Sequence, residues 1–213
     1  MMDRKTIVVF SGGLDSTTLL YHLIALGHEV KAISFDYGQR HRKELDAASS
    51  IVKKLQIEHQ IVDVTGLAAI FGTNALTSPK VDVPHGEYSP QTMEVTEVPN
   101  RNMIMLSIAT GWAISLGYDS VAFGAHSGVY TPYTDCQPQF AAVMNAATHV
   151  CDERSIEVLA PFIHWTKADI VSRGAELNVP FDLTWSCYEG GEEPCGKCST
   201  CVDRERAFSP TSA

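Results

Sequence analysis

No apolar run in this 213-residue chain approaches the ~20 residues needed to span a bilayer. The greasy stretch near the start, Ile7 to Phe10, is too short for a signal h-region. A soluble, cytoplasmic protein with no membrane partner is expected. Positive charge is scarce too: 16 Lys and Arg stand against 25 Asp and Glu, a net charge of −9. That balance argues against a broad phosphate-backbone footprint, so no nucleic-acid partner is expected, because such binding needs clustered cations. A small anion held by a few focused groups remains compatible. Internal repeats and low-complexity tracts are also missing. Hydrophobic residues make up 45% and charged residues 19%, the composition of a folded chain. The length suits a single α/β domain over residues 1–213, with room for a small appendage.

What is present alternates between buried-strand and helix patterns. Strands are expected at Thr6–Phe10, Val30–Tyr37, Glu58–Val64, Ser120–Ala125 and Ile156–Phe162. Helices are expected at Asp15–Leu26, stopped by Gly27, and at His41–Leu55, Asn102–Leu116, Pro138–Val150 and Thr166–Leu177. Residues 72–99 carry Pro79, Pro84, Pro90 and Pro99 and read as a long loop, of the kind used as a lid or binding segment. The alternation predicts a mostly parallel five-stranded sheet with helices on both faces. Ligands of such a sheet bind at the carboxyl ends of its strands.

The first such end is "FSGGLDSTT". Gly12 and Gly13 permit close approach of backbone N–H groups, and the helix behind them adds a partial positive charge. Ser11, Ser16, Thr17 and Thr18 add hydroxyls. The pattern favours phosphate or pyrophosphate, although a bare turn capped by Asp15 also fits. Neither the G-x-x-x-x-G-K-[ST] nor the G-x-G-x-x-G spacing is present. Two cations, Arg101 in "VPNRN" and Lys167 in "HWTKADI", sit at helix N-termini, the unfavourable end for positive charge. Each is either an anion ligand or a solvated side chain. Thr166 and Asp169 have the spacing of a capping box.

Cysteine is concentrated near the end. Cys187, Cys195, Cys198 and Cys201 form C-x₇-C-x₂-C-x₂-C, interleaved with Gly190, Gly191, Pro194 and Gly196. Four thiolates suit one structural zinc ion per chain, in a knuckle over residues 187–204 packed on the main domain. An iron–sulfur cluster and disulfides are the rivals. Cys136 and Cys151 lie outside the pattern and are expected to be small buried hydrophobes.

"SGGLDS" after a strand resembles the PP-loop of the ATP pyrophosphatases, adenine nucleotide alpha hydrolase-like enzymes that cleave ATP between the α and β phosphates. The resemblance implies an ATP site over Phe10, Ser11, Gly12, Gly13, Leu14, Asp15, Ser16 and Thr17, with Asp36 and Tyr37 facing ribose and adenine. Asp15 would hold Mg²⁺ against the phosphates, because a carboxylate beside polyphosphate otherwise repels it. Lys167 would approach the same phosphates. With "FDYGQRH", "VPNRN", "GAH", "YTDCQP", "TKADI" and the cysteine tail, nearly the whole chain resembles the 7-cyano-7-deazaguanine synthases of the queuosine pathway.

That family resemblance implies conversion of 7-carboxy-7-deazaguanine, ammonia and ATP into a nitrile, through an adenylated carboxylate and an amide. Asp15, Lys167 and Arg101 would do the chemistry. Asp135 would read the guanine-like edge, Tyr133 or Tyr130 would stack on the ring, and His126 would contact substrate. A homodimer is implied as well. One departure is Gln137, where the family pattern has arginine; another cation must then hold the substrate carboxylate. A PP-loop RNA-modifying enzyme, thiolase or lysidine-type, is the alternative, as is a non-catalytic nucleotide-binding module.

Overall fold

The computed structural model describes residues 4–126 and 133–209. Strands β1 (Lys5–Val9), β2 (Glu29–Asp36), β3 (His59–Asp63), β4 (Ser120–Ala122) and β5 (Glu157–Leu159) form one sheet in the order β3-β2-β1-β4-β5. Every adjacent pair runs parallel. The helices are α1 (Leu14–Ala25), α2 (Lys43–Leu55), α3 (Pro90–Glu94), α4 (Arg101–Leu116), α5 (Pro138–Val150), α6 (Lys167–Glu176) and α7 (Ser199–Phe208).

The central strand explains the two-sided core. Ile7 and Val8 are both fully buried but face opposite ways. Ile7 packs with Ile33, Leu106, Ala109 and Val121, beneath α4. Val8 packs with Leu19, Leu20, Ala48 and Ile170, beneath α1, α2 and α6. Side chains alternate along a strand, so a sheet covered on both faces needs a continuous apolar run. "KTIVV" is such a run.

The helix ends follow their local chemistry. Gly27, at φ +83°, ends α1, and the His28 N–H returns to Leu23 O at 3.1 Å. The α6 capping box forms: the Asp169 N–H donates to Thr166 Oγ1 (3.1 Å) and the Thr166 N–H to Asp169 Oδ2 (2.8 Å). The Thr166 hydroxyl, which donates to Asp169 Oδ2 at 2.7 Å, and then the Thr166 N–H hold the Asp169 carboxyl below its usual range.

Three features differ from the expectation. β4 and β5 end at Ala122 and Leu159, where ladder pairing stops, and after Ala160 the chain turns at residues 161–164. Residues 72–99 are not one open loop. They bury Ala75, Leu76, Val83 and Val98 and contain α3, capped by Ser89 and Thr92. The segment lies as a strap on the cysteine cluster: His85 bridges Cys198, the Gly86 N–H donates to Lys197 O at 2.8 Å, and Arg206 pairs with Glu87. Helix α7 starts directly after Cys198 and carries Cys201; the sequence does not announce it, because "DRERAF" lacks a clear apolar stripe. Tertiary contacts hold it, including Arg204 Nη2 donating to Phe181 O (2.7 Å) and Nη1 to Thr184 Oγ1 (2.8 Å). Among the described residues no helix is long and apolar enough to cross a membrane.

Candidate active site and metal centre

β1 and β4 are neighbours in the sheet, although most of the first half of the chain separates them. The chain leaves their carboxyl ends in different directions, and a crevice opens between. A cavity of about 260 Å³ occupies this place, lined among others by Ser11, Gly13, Asp15, Tyr37, Arg101 and Lys167. Phe10, Leu14 and Ser16 also line it. Gly12 and Thr17 stand behind the lining.

The two loop glycines have different tasks. Gly12 adopts φ +77°, and an added Cβ would fall 2.5 Å from Ala48 N and closer still to Glu44 O. Its missing side chain therefore lets α2 pack against the loop. Gly13 is the N-cap of α1, which has no side-chain cap. The first helical N–H to bond back is that of Thr17, to Gly13 O at 3.0 Å. The earlier N–H groups of the helix have no partner within it. Gly12→Ala is expected to destabilise the protein by about 2–4 kcal/mol, through overpacking and left-handed strain. Urea unfolding checks this, and a midpoint within error of the parent protein contradicts it.

Asp15 is in the first turn of α1 and does not cap it. Its Oδ2 accepts from Lys167 Nζ at 2.7 Å, while its buried Oδ1 has no hydrogen-bond partner. An orphaned carboxylate oxygen beside free helix N–H groups fits a divalent cation carrying phosphate. Lys167 also lies 3.5 Å from Asp203 Oδ2 and 3.5 Å from His126 Nε2. Burial alone would lower the Lys167 ammonium, but the Asp15 and Asp203 carboxylates outweigh it and hold the pKa above the usual value. Burial lowers the pKa of His126, and its Nδ1 has no partner.

At the other end, Arg101 begins α4, with Asn100 left-handed before it at φ +59°. Its Nη1 donates to the Tyr37 hydroxyl (3.3 Å), and its guanidinium lies 5.8 Å from the Tyr37 ring centre. Burial, then the Glu44 charge, pushes the Tyr37 phenol up, so it stays neutral. Asp36 is not in the lining: it accepts from Arg42 at 2.6 Å and from the Gly38 N–H at 3.1 Å.

Asp135, Tyr133 and His126 border the cavity rather than line it. Asp135 Oδ2 accepts from the Asn102 N–H at 3.4 Å, and the Tyr133 hydroxyl meets Thr96 Oγ1 at 2.9 Å. Tyr130 lies outside the described residues. Cys136 does line the cavity, and burial, then Asp135, pushes its thiol up to about 12. It is a neutral thiol, unsuited to relaying sulfur. Cys151 is exposed at the end of α5, not buried, because the apolar pattern of that helix stops before it.

The sulfur atoms of Cys187, Cys195, Cys198 and Cys201 all lie within 4.8 Å of one another. Backbone N–H groups of Lys197 and Cys198 donate to Cys195 Sγ at 3.4 and 3.2 Å. Burial opposes ionisation of Cys195, but these bonds prevail and bring it down to about 7. Burial pushes the Cys187 and Cys201 thiols up instead. Four sulfurs gathered around one point fit a metal ion, whereas no pair here is bonded as a disulfide.

Reading the sequence missed Asp203, Tyr188, Trp185, His41 and Glu44 as site neighbours. Asp203 reaches Lys167 only because α7 docks on α6. Tyr188 meets Tyr88 of the strap, hydroxyl to hydroxyl at 3.3 Å. The proximity of Tyr188 to Cys187 was the only local hint.

A family profile described as queuosine biosynthesis protein QueC matches residues 5–212. The chain is 44% identical over 212 residues to a 7-cyano-7-deazaguanine synthase of Pseudoalteromonas atlantica, covering 100% of this chain and 97% of that one. It is 49% identical over 207 residues to the synthase of that name from Brucella anthropi, covering 96% and 88%. Among solved structures, NMN synthetase from Francisella tularensis superposes with TM-score 0.55 at 13% identity, covering 97% of this chain and 73% of that one. A 4-thiouridine synthetase in an RNA complex with bound ATP gives TM-score 0.55 at 16% identity, covering 96% and 49%. At such identities these two likenesses speak for the fold alone.

Proposed function

Because the chain belongs to the QueC family of queuosine biosynthesis proteins, we propose that its cavity uses ATP to convert 7-carboxy-7-deazaguanine and ammonia into 7-cyano-7-deazaguanine. One observation carries the assignment of the cavity. Asp15, Lys167 and the open N-terminus of α1 meet at one end of it, and Arg101 stands at the other.

A carboxylate resists ammonia because its charge repels the nucleophile and oxide is a poor leaving group. Adenylation removes both obstacles. The free N–H groups of α1 and the Lys167 ammonium bind the phosphates and stabilise the charge that develops on them. Magnesium, when bound with ATP, would sit on the orphaned Asp15 oxygen and screen carboxylate from phosphate. Tyr37 faces the nucleotide, and Asp36 supports the turn that presents it. Arg101 is the cation for the substrate carboxylate, because Gln137 cannot supply charge. Asp135 pairs with the guanine-like edge, with Tyr133 beside the ring, and His126, next to Lys167, meets the substrate at its reacting end. These positions hold the reactants in line, which is most of what the two activations require.

Zinc is the metal we assign to the four thiols, with a structural task. Residues 1–213 then form one PP-loop domain carrying a knuckle at 187–204. Reduced thiols on a metal also suit a cytoplasmic setting. A homodimer belongs to the same proposal, with exposed Met103, Val143 and Val150 as apolar surface to cover. Light scattering on the pure protein tests it.

Mass spectrometry of a reaction with 7-carboxy-7-deazaguanine, ammonium, magnesium and ATP tests the function. AMP, pyrophosphate and the nitrile are expected together, with one ATP consumed for each activation. ATP cleavage that ignores the deazaguanine acid, or a tRNA shift on a gel with no nitrile, would overturn the reading in favour of an RNA-modifying enzyme or a bare nucleotide module.

A further inference from the structure

We infer that His41, backed by Glu44, is the base that takes protons from the reacting nitrogen, an inference resting on the ATP-dependent, nitrile-forming reading of the cavity. His41 and Glu44 both line that cavity. The imidazole is buried, its Nε2 lies 3.4 Å from Glu44 Oε2, and its Nδ1 has no hydrogen-bond partner. Glu44 is fixed in turn by Gln39, whose Nε2 donates to Oε1 at 2.9 Å and to Phe35 O at 3.0 Å. With Nε2 turned to the Glu44 carboxylate, it is Nδ1 that is left without a partner. A buried polar atom in that condition calls for an explanation.

The reaction supplies one. Ammonia carries three hydrogens and a nitrile nitrogen none. Attack of ammonia on the acyl adenylate forms a C–N bond, expels AMP with the C–O pair and releases one proton. From amide to nitrile the oxygen departs as AMP with its bonding pair. The last two N–H bonds then lose their protons, and their electron pairs stay with nitrogen. The carbon keeps its oxidation level throughout, so no redox partner is needed. Each proton passes to the free nitrogen of His41 and from there to solvent. Adenylation itself moves no proton.

The other imidazole nearby is less suited. His126 Nε2 lies 3.5 Å from the Lys167 ammonium and 3.9 Å from Asp15 Oδ2, among groups already engaged with each other, and burial lowers its pKa. His41 Nε2 instead faces a carboxylate, 3.4 Å from Glu44 Oε2. The surroundings also fix the ring of His41. Tyr188 packs on it at 5.5 Å between centres, and a Cβ on Gly190 would come within 3.0 Å of the His41 Cα. The Tyr188 hydroxyl meets that of Tyr88, and Tyr88 packs edge-on to Tyr133 of the region we assign to the deazaguanine.

His41→Gln separates the steps. The glutamine amide can still donate to Glu44, but it offers no basic nitrogen. Two readouts are compared with the parent protein: carboxylate-dependent exchange of labelled pyrophosphate into ATP, and nitrile formation. Exchange is expected to stay within about threefold, while nitrile formation falls by about 10²–10⁴-fold. Added imidazole is expected to recover part of the loss in His41→Ala. Parallel loss of exchange and nitrile would make His41 a structural or nucleotide-binding residue and overturn the inference, as would undiminished nitrile formation. Absence of exchange in the parent protein would instead refute the underlying reading of the cavity.

Discussion

Asp15→Ala is expected to lower AMP and nitrile formation by about 10³-fold or more, while leaving the fold standing. The size follows from removing a preorganised charge at the centre of phosphate chemistry, where a single lost group costs about 10²–10³ in rate, with loss of the cation adding to it. The fold should survive because Asp15 caps nothing: Gly13 is the N-cap and no side chain closes it. Lys167 loses its 2.7 Å partner but keeps Asp203. Asp15→Asn sharpens the test, since it preserves shape and removes only the charge. Turnover by mass spectrometry and a thermal melt, run on both variants, decide the matter. Turnover above a tenth of the parent value in Asp15→Asn would place the cation elsewhere.

Cys198→Ser is expected to have the largest effect on stability. Cys198 is fully buried, begins α7 as its N-cap and carries the bridge to His85 of the strap. A structural metal contributes folding free energy directly, so losing a ligand loosens everything the ion holds. Helix α7 should then undock, taking Asp203 from Lys167 and freeing the strap segment around Tyr88. The melting midpoint is expected to fall by at least about 10 °C, at ~2–4 °C per kcal/mol for a chain of this size. Bound metal should drop from one ion per chain to a small fraction by elemental analysis, and trypsin should cut at Lys197 and Arg204 in the native protein. Elemental analysis of the parent protein also separates zinc from iron. A variant that melts like the parent and retains its metal would refute the four-thiol site.

Much of this was legible because it is local. The run Ile7–Phe10, the glycines after it, the Thr166–Asp169 box and the stop at Gly27 each depend on neighbours within a few residues. Strand and helix existence followed from them, and edges slipped where pairing rather than propensity ends a strand, as in β4 and β5. The strap and α7 were obscure because neither has its own apolar period. Each is held by the other and by the cysteines between them.

The sequence by itself determined the strand–loop–helix with its paired glycines, the alternation that makes a parallel sheet, and the set of four thiols, since backbone geometry and ligand count act over short spans. Tertiary structure alone decided that Lys167 would grip Asp15 across 152 positions, that Asp203 would join them, and that Gly12 serves packing against α2. It also decided that His41 would be buried with one nitrogen idle. Such facts depend on which surfaces dock, and docking is set by the whole core at once, where no short stretch of chain carries the information.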